Sequence, residues 1–225
     1  FGTVPYARRR RSRSFKAGRL ALDKLLDAAN RIAADTKAGF IPYGLKLDDL
    51  YALALAKAEL AALRSGARPP STLEAPAVGA PQDAFEVDGR RLSVSYLDYY
   101  LRYCFVHGAV GGLRGDEVIV EIGSGSGKQA AVLKQLLPDA TILCFDLPLQ
   151  LFLAYHYTRS FMPGQVVGPD ETRGWTDLSG LRRGKIHFFG NWQMPLASGL
   201  RFDLFWNAAS FGEMEPAVVQ RYLSY

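Results

Sequence analysis

Four apolar runs set the rhythm of the second half of the chain: 118–122, 141–145, 185–189 and 202–207. Each is four to six residues long, rich in Val, Ile and Phe, and bounded by turn formers, the pattern of strands buried on both faces. Helical stretches at 128–137 and 149–161 separate the first pair and follow the second, and Pro138-Asp139 closes the first helix. Strand, loop, helix and strand within about thirty residues make a right-handed βαβ unit. In the first half, Leu22, Leu25, Leu26, Ala29, Ile32 and Ala33 recur at helical spacing over 19–34. A second helix starts at an N-cap, Asp48, and runs to about Leu63 before Ser65-Gly66. Pro69, Pro70, Pro76 and Pro81 mark an extended, loosely ordered connection, followed by a short extended piece at 85–92. A tyrosine-rich helix, 93–107, opens on a capping box of Ser95 and Asp98, with most of its aromatics assigned to the core. The expected organisation is a basic, disordered arm at 1–18, a helical cap segment at 19–66, a Pro-rich linker at 67–83 and an α/β domain at 84–225.

The turn after the first run carries the chemistry. Glu121-Ile122-Gly123-Ser124-Gly125-Ser126-Gly127 places three glycines at alternate positions just before a helix that starts at Lys128. Glycines there allow positive φ and bring the backbone close to a ligand, beside the first N–H groups of the helix. A P-loop is excluded: only three residues lie between Gly123 and Gly127, and Gln129 follows Lys128. A dinucleotide fingerprint fits Gly125-x-Gly127-x-x-Ala130, with Asp146 at a suitable distance. The acid-x-Gly-x-Gly-x-Gly loop of S-adenosylmethionine-dependent methyltransferases fits from Glu121 to Gly127 without a gap.

Asp146, at the tip of the second strand, is placed to accept hydrogen bonds from both ribose hydroxyls of a nucleoside. The third strand ends in Gly190-Asn191-Trp192 and the fourth leads into Asn207 through Glu213. Ligands of open α/β sheets bind outside the carboxyl ends of the strands, so these residues share one edge with Glu121 and Asp146.

Three segments, Glu121 to Gln129, Cys144-Phe-Asp-Leu-Pro148 and Asn207-Ala-Ala-Ser-Phe-Gly-Glu-Met214, resemble the sugar O-methyltransferases within the class I S-adenosylmethionine-dependent enzymes. The resemblance covers roughly 85–225. It implies a Rossmann-like class I methyltransferase sheet, preceded by the helical segment. It also implies that Gly123, Gly125 and Gly127, with Ser124 between them, hold the methionine part of the cofactor, and that Glu121 supports its ammonium. Asp146, followed by Leu147, would take the ribose. Asn191 and Trp192 would border the adenine, and Asn207 to Ser210 would lie near the sulfonium. The presumed acceptor is a sugar hydroxyl. Class I enzymes have seven strands, whereas four are visible here before a helix from Pro216, so the chain reads as truncated after the fourth.

Methyl transfer from a sulfonium is an in-line displacement that rests on positioning of the acceptor, and a hydroxyl acceptor needs a base. Glu213, just past the fourth strand, is the first candidate; His156, in the helix after Asp146, is the second. No His/Asp/Glu cluster at ligand spacing supports a metal.

Charge refines the picture. Of 27 basic residues, six lie in 1–16 (Arg8, Arg9, Arg10, Arg11, Arg13, Lys16), leaving 21 against 22 acids. The net charge of +5 therefore belongs to the arm, and nucleic acid is disfavoured as substrate. An RNA or protein methyltransferase recruited through that arm, and a nicotinamide-dependent oxidoreductase, are the rival readings. Cys104 and Cys144 sit in apolar segments as free thiols, and no apolar run spans a bilayer, so a cytoplasmic enzyme is expected. The helical cap offers a homodimer contact.

Overall fold

The computed structural model describes residues 47–225 together with the backbone of the two-residue strand at 14–15. The chain is α/β, with a five-stranded parallel sheet, a small three-stranded sheet and helices packed between and around them. The helix expected over 19–34 lies outside the described residues. Within the expected arm, β1 (Ser14–Phe15) pairs in parallel with β2 (Ala84–Val87), contrary to a wholly unpaired arm. The physical reason is an open edge: β2 pairs on its other side with β3 (Arg90–Ser93) and leaves a row of backbone groups to be satisfied. The β2–β3 hairpin turns at Asp88 and Gly89, with φ of 50° and 76°, the two left-handed residues of a tight hairpin turn.

α1 (Leu47–Ser65) buries Tyr51, Leu55, Ala58 and Ala62, one residue per turn, against α2 (Val94–Ala109). Tyr51 also stacks on Phe85, ring centroids 4.6 Å apart, tying the helix to the hairpin. The helix α2 is capped by Ser93, whose hydroxyl accepts from the Tyr96 N–H at 3.1 Å, two residues earlier than the capping box read from the sequence. Ser95 instead donates its N–H to Asp83.

The Pro-rich segment departs from its expected role. It is packed: Leu73 and Ala75 are buried, the Ala75 N–H reaches the Arg91 carbonyl at 2.7 Å, and Gln135 holds both backbone groups of Glu74. Prolines lack an N–H, so an irregular segment rich in them enters a core with fewer donors to satisfy.

The main sheet runs β6-β7-β5-β4-β8, all parallel: β4 (Val118–Ile122), β5 (Thr141–Asp146), β6 (Val166–Val167), β7 (Ile186–Gly190) and β8 (Leu204–Trp206). The helices α3 (Lys128–Leu136) and α4 (Pro148–Phe161) connect β4 to β5 and lead on from β5. A four-residue α5 (Pro169–Thr172) follows β6, and α6 (Pro216–Leu223) follows β8. Strand β6, two residues long, is too short to leave a signal in the sequence. The chain steps outward from β4 to β5 to β7, then crosses back to place β8 on the other side of β4. The order of strands reverses between β4 and β8, the switch point where open α/β sheets bind ligands, and the arrangement is compatible with a Rossmann-like fold.

Side chains alternate across the sheet as its pleat requires. Ile119, Ile142, Cys144, Ile186 and Phe188 join the core shared with the helices, while Val120, Ile122, Leu143, Phe145 and Phe189 pack on Met194 and Ala197. No helix of the described residues is long and apolar enough to cross a membrane. Cys104 and Cys144 are buried free thiols.

Candidate ligand site at the carboxyl edge

The three glycines of the loop have φ of 78°, 54° and 76°, all left-handed, but each is required for a different reason. A Cβ on Gly123 would lie 2.2 Å from the Ser210 hydroxyl oxygen. A Cβ on Gly127 would lie 3.1 Å from Ala154 in α4, so this glycine lets the helix approach the loop. A Cβ on Gly125 would meet nothing within 4 Å. Only the middle glycine opens onto free space, so it is the one that offers bare backbone to a ligand.

Asp146 closes the other side of that space. One of its carboxylate oxygens accepts from the Gly125 N–H at 2.7 Å and the other from the Leu147 N–H at 2.7 Å. Burial raises its pKa and these two bonds work against the rise. Each oxygen keeps a second lone-pair site, so the group can still accept hydroxyls from outside. Gly123 and Gly127 spend their own N–H groups inside the chain, on Phe145 and Ser124 at 2.9 Å each.

Beneath the loop, Glu121 faces Cys144 across the β4–β5 pair, and the thiol donates to its carboxylate at 3.5 Å. Glu121 is only 2% exposed, and desolvation pushes its pKa up to about 7. Burial also pushes the Cys144 thiol well above its ordinary range. The Ser124 hydroxyl, buried in the same loop, has no hydrogen-bond partner among the described residues.

Glu121 predicts an unusual pH dependence. Its pKa rises on folding from 4.5 to about 7, so between these values the folded state holds more proton than the unfolded chain. Its contribution is therefore lost as pH rises from 4.5 through 7. His187, fully buried, has its pKa lowered by desolvation from 6.5 to about 4 and contributes in the opposite sense, losing stability as pH falls from 6.5. The two slopes oppose each other in the wild type. Thermal melts of Glu121→Gln between pH 4 and 8 are expected to uncover a rise in Tm with pH up to 6.5, and a gain over wild type at pH 8. Parallel pH profiles for the two proteins would contradict the burial of a titrating Glu121.

The remaining candidates divide sharply. Asn207 donates to the Ile122 carbonyl at 3.0 Å and to the Ser210 hydroxyl at 2.5 Å, and Ser210 donates to the same carbonyl at 3.1 Å. Both side chains clamp the segment after β8 onto the end of β4. Between them Ala209 sits at φ 88°, a strained conformation for a residue with a Cβ. Asn191 donates to the Tyr222 hydroxyl, and the Trp192 ring lies back over Gly190 while staying 59% exposed. Leu147, 57% exposed, stands beside Asp146. Two large apolar groups thus face solvent at the ends of β5 and β7, where the register pairs Asp146 with Gly190.

Glu213 is exposed in the short 3-10 turn Ser210–Glu213, on the ligand edge. His156 is not brought to the loop. Ala154 touches Gly127, and two residues further along a helix is about 200° around its axis, so His156 turns outward against Phe152. No group of three or more His, Cys, Asp or Glu able to hold a metal occurs among the described residues.

Two features escaped the sequence reading. One is the contact of Gly123 with Ser210, invisible because the partners lie 87 positions apart. The other is a groove of about 520 Å³ between α2 and β8, with Arg102 and Phe105 on one wall and Asn207 to Ala209 on the other. Neither a protein-family model nor a curated protein sequence matches this chain.

Proposed function

We propose that this chain is an S-adenosylmethionine-dependent O-methyltransferase acting on a hydroxylated small molecule of the sugar class. The observation that carries the reading is the pairing of Gly125, the one loop glycine with open space, with the carboxylate of Asp146 at the neighbouring strand end. Bare backbone beside an acid suits a nucleoside: the acid accepts the ribose hydroxyls, and the exposed Leu147 and Trp192 offer apolar cover for a base. A nicotinamide dinucleotide is less well served. Its pyrophosphate would have to rely on other loop N–H groups, because those of all three glycines are already bonded within the chain.

When bound, S-adenosylmethionine would supply a methyl group activated by the sulfonium. Gly125 and Asp146 would hold its nucleoside part. Asn207 and Ser210 keep the post-β8 segment against the end of β4 and so would fix the floor for an acceptor. Glu213 is the proposed base, an exposed carboxylate on the same edge free to take the hydroxyl proton. Glu121 lies covered under the loop, where it would act on a ligand ammonium through the loop rather than by open contact.

Incubation with methyl-labelled S-adenosylmethionine and a panel of sugars, RNA and protein tests this reading. Label is expected in a sugar methyl ether. Glu213→Gln should lower kcat by about 10²-fold or more while S-adenosylhomocysteine still binds. Label in RNA or protein instead would reassign the substrate class.

A further inference from the structure

A second cavity, of about 180 Å³, lies beside the glycine loop and is used by nothing described so far. Its outer wall is the 75–81 segment, whose turn is held by an Ala80 N–H to Ala77 carbonyl bond at 3.0 Å and by left-handed residues at Gly79 and Ala80. Its inner wall carries Lys128, Tyr96 and Tyr157. Lys128 makes no ion pair or hydrogen bond among the described residues, and the Tyr157 hydroxyl has no hydrogen-bond partner there. The Tyr96 hydroxyl accepts from Gln135 at 2.7 Å and keeps its proton to donate. Both tyrosines are protonated at neutral pH, and burial only raises their pKa further. The fourth polar group, Ser93, has its oxygen engaged by the Tyr96 N–H. Three residues able to donate line a small cavity with apolar cover from Pro76 and Val78 and no carboxylate in its lining. That is the chemistry of an anion site.

We infer that this cavity holds the anionic end of the acceptor, so that the substrate class is a phosphorylated or carboxylated sugar rather than a neutral one. The inference rests on the methyltransferase reading. Lys128 is three residues from Gly125, at most about 11 Å along the chain. A hexose carrying a phosphate or carboxylate spans that distance, with its charged end on Lys128 and a hydroxyl over the glycine loop. Lys128 is here a positioning residue.

Calorimetric titration of the 225-residue protein tests it, with glucose 6-phosphate, glucuronate and glucose as probes and S-adenosylhomocysteine run in parallel. One or both anions should bind at least 10-fold more tightly than glucose, and the better of them identifies phosphate or carboxylate. Lys128→Met should weaken that binding roughly 10-fold or more, the scale of a hydrogen bond to a charged group. Val78→Trp, which fills the cavity from an exposed position, should weaken it without altering the melting temperature. Affinity for S-adenosylhomocysteine should stay within about 2-fold in both variants. Binding of S-adenosylhomocysteine with equal affinities for the three probes, or with no effect of Lys128→Met, would overturn the inference and leave the methyltransferase reading standing. Failure of wild type to bind S-adenosylhomocysteine would remove that reading, and the acceptor assignment with it, whatever the anions do.

Discussion

Gly123→Ala is expected to destabilise the protein by about 2–5 kcal/mol, the sum of a left-handed conformation at roughly 1–2 kcal/mol and overpacking at roughly 1–3 kcal/mol. The new Cβ would sit 2.2 Å from the Ser210 hydroxyl, and that hydroxyl cannot simply swing aside because it is bonded to the Ile122 carbonyl. For a chain of this size the loss corresponds to a fall in Tm of about 10 °C. Gly125→Ala supplies the contrast. Its φ is also left-handed, but its Cβ meets nothing, so the stability cost is only about 1–2 kcal/mol. Binding should instead suffer, since the methyl group occupies the space left for a ligand. Ser210→Gly added to Gly123→Ala should recover the part of the loss caused by overpacking, a coupling expected of residues in contact. Equal Tm changes for the two glycine variants would contradict the division of roles among the three glycines.

Asp146→Ala is expected to weaken S-adenosylhomocysteine binding by about 10²-fold or more. Two hydroxyls bonded to a carboxylate contribute roughly 1.5–3 kcal/mol each, and the substitution removes both. The same carboxylate holds the Gly125 and Leu147 N–H groups, so part of the effect would come from loosening the loop. Asp146→Asn keeps only one of the two loop bonds, because its single side-chain oxygen can accept from Gly125 or from Leu147 but not from both. Comparing S-adenosylhomocysteine with its 2′-deoxy analogue separates the contributions. If the acid serves only the loop, Asp146→Ala should weaken both ligands by the same factor. If it also takes ribose, the loss should be larger for the ligand that carries both hydroxyls.

The central strands were legible because a parallel strand buried on both faces reads as a short, mostly apolar run, and β4, β5 and β7 do so despite Glu121, Thr141 and His187 within them. The glycine turn and Asp146 were legible for a related reason: strand ends and helix starts impose strong local demands on residue type. What the sequence concealed depends on contacts between distant positions. Four prolines suggested a loose connection at 67–83, yet Leu73 and Ala75 enter the core and the segment walls a cavity. The sequence allows His156 to face the cleft, but which side of α4 turns inward is set by the contact of Ala154 with Gly127. Asn207 and Ser210 were assigned to the cofactor by resemblance. Their side chains are committed to the Ile122 carbonyl, which no local pattern could have announced.

Calorimetric titration of the wild-type protein with S-adenosylhomocysteine, with NAD and NADP run alongside, bears most directly on the proposed function. Micromolar binding of S-adenosylhomocysteine alone is the expected result. Binding of a nicotinamide nucleotide in its place would contradict it and return the loop to the dinucleotide fingerprint at Gly125-x-Gly127-x-x-Ala130.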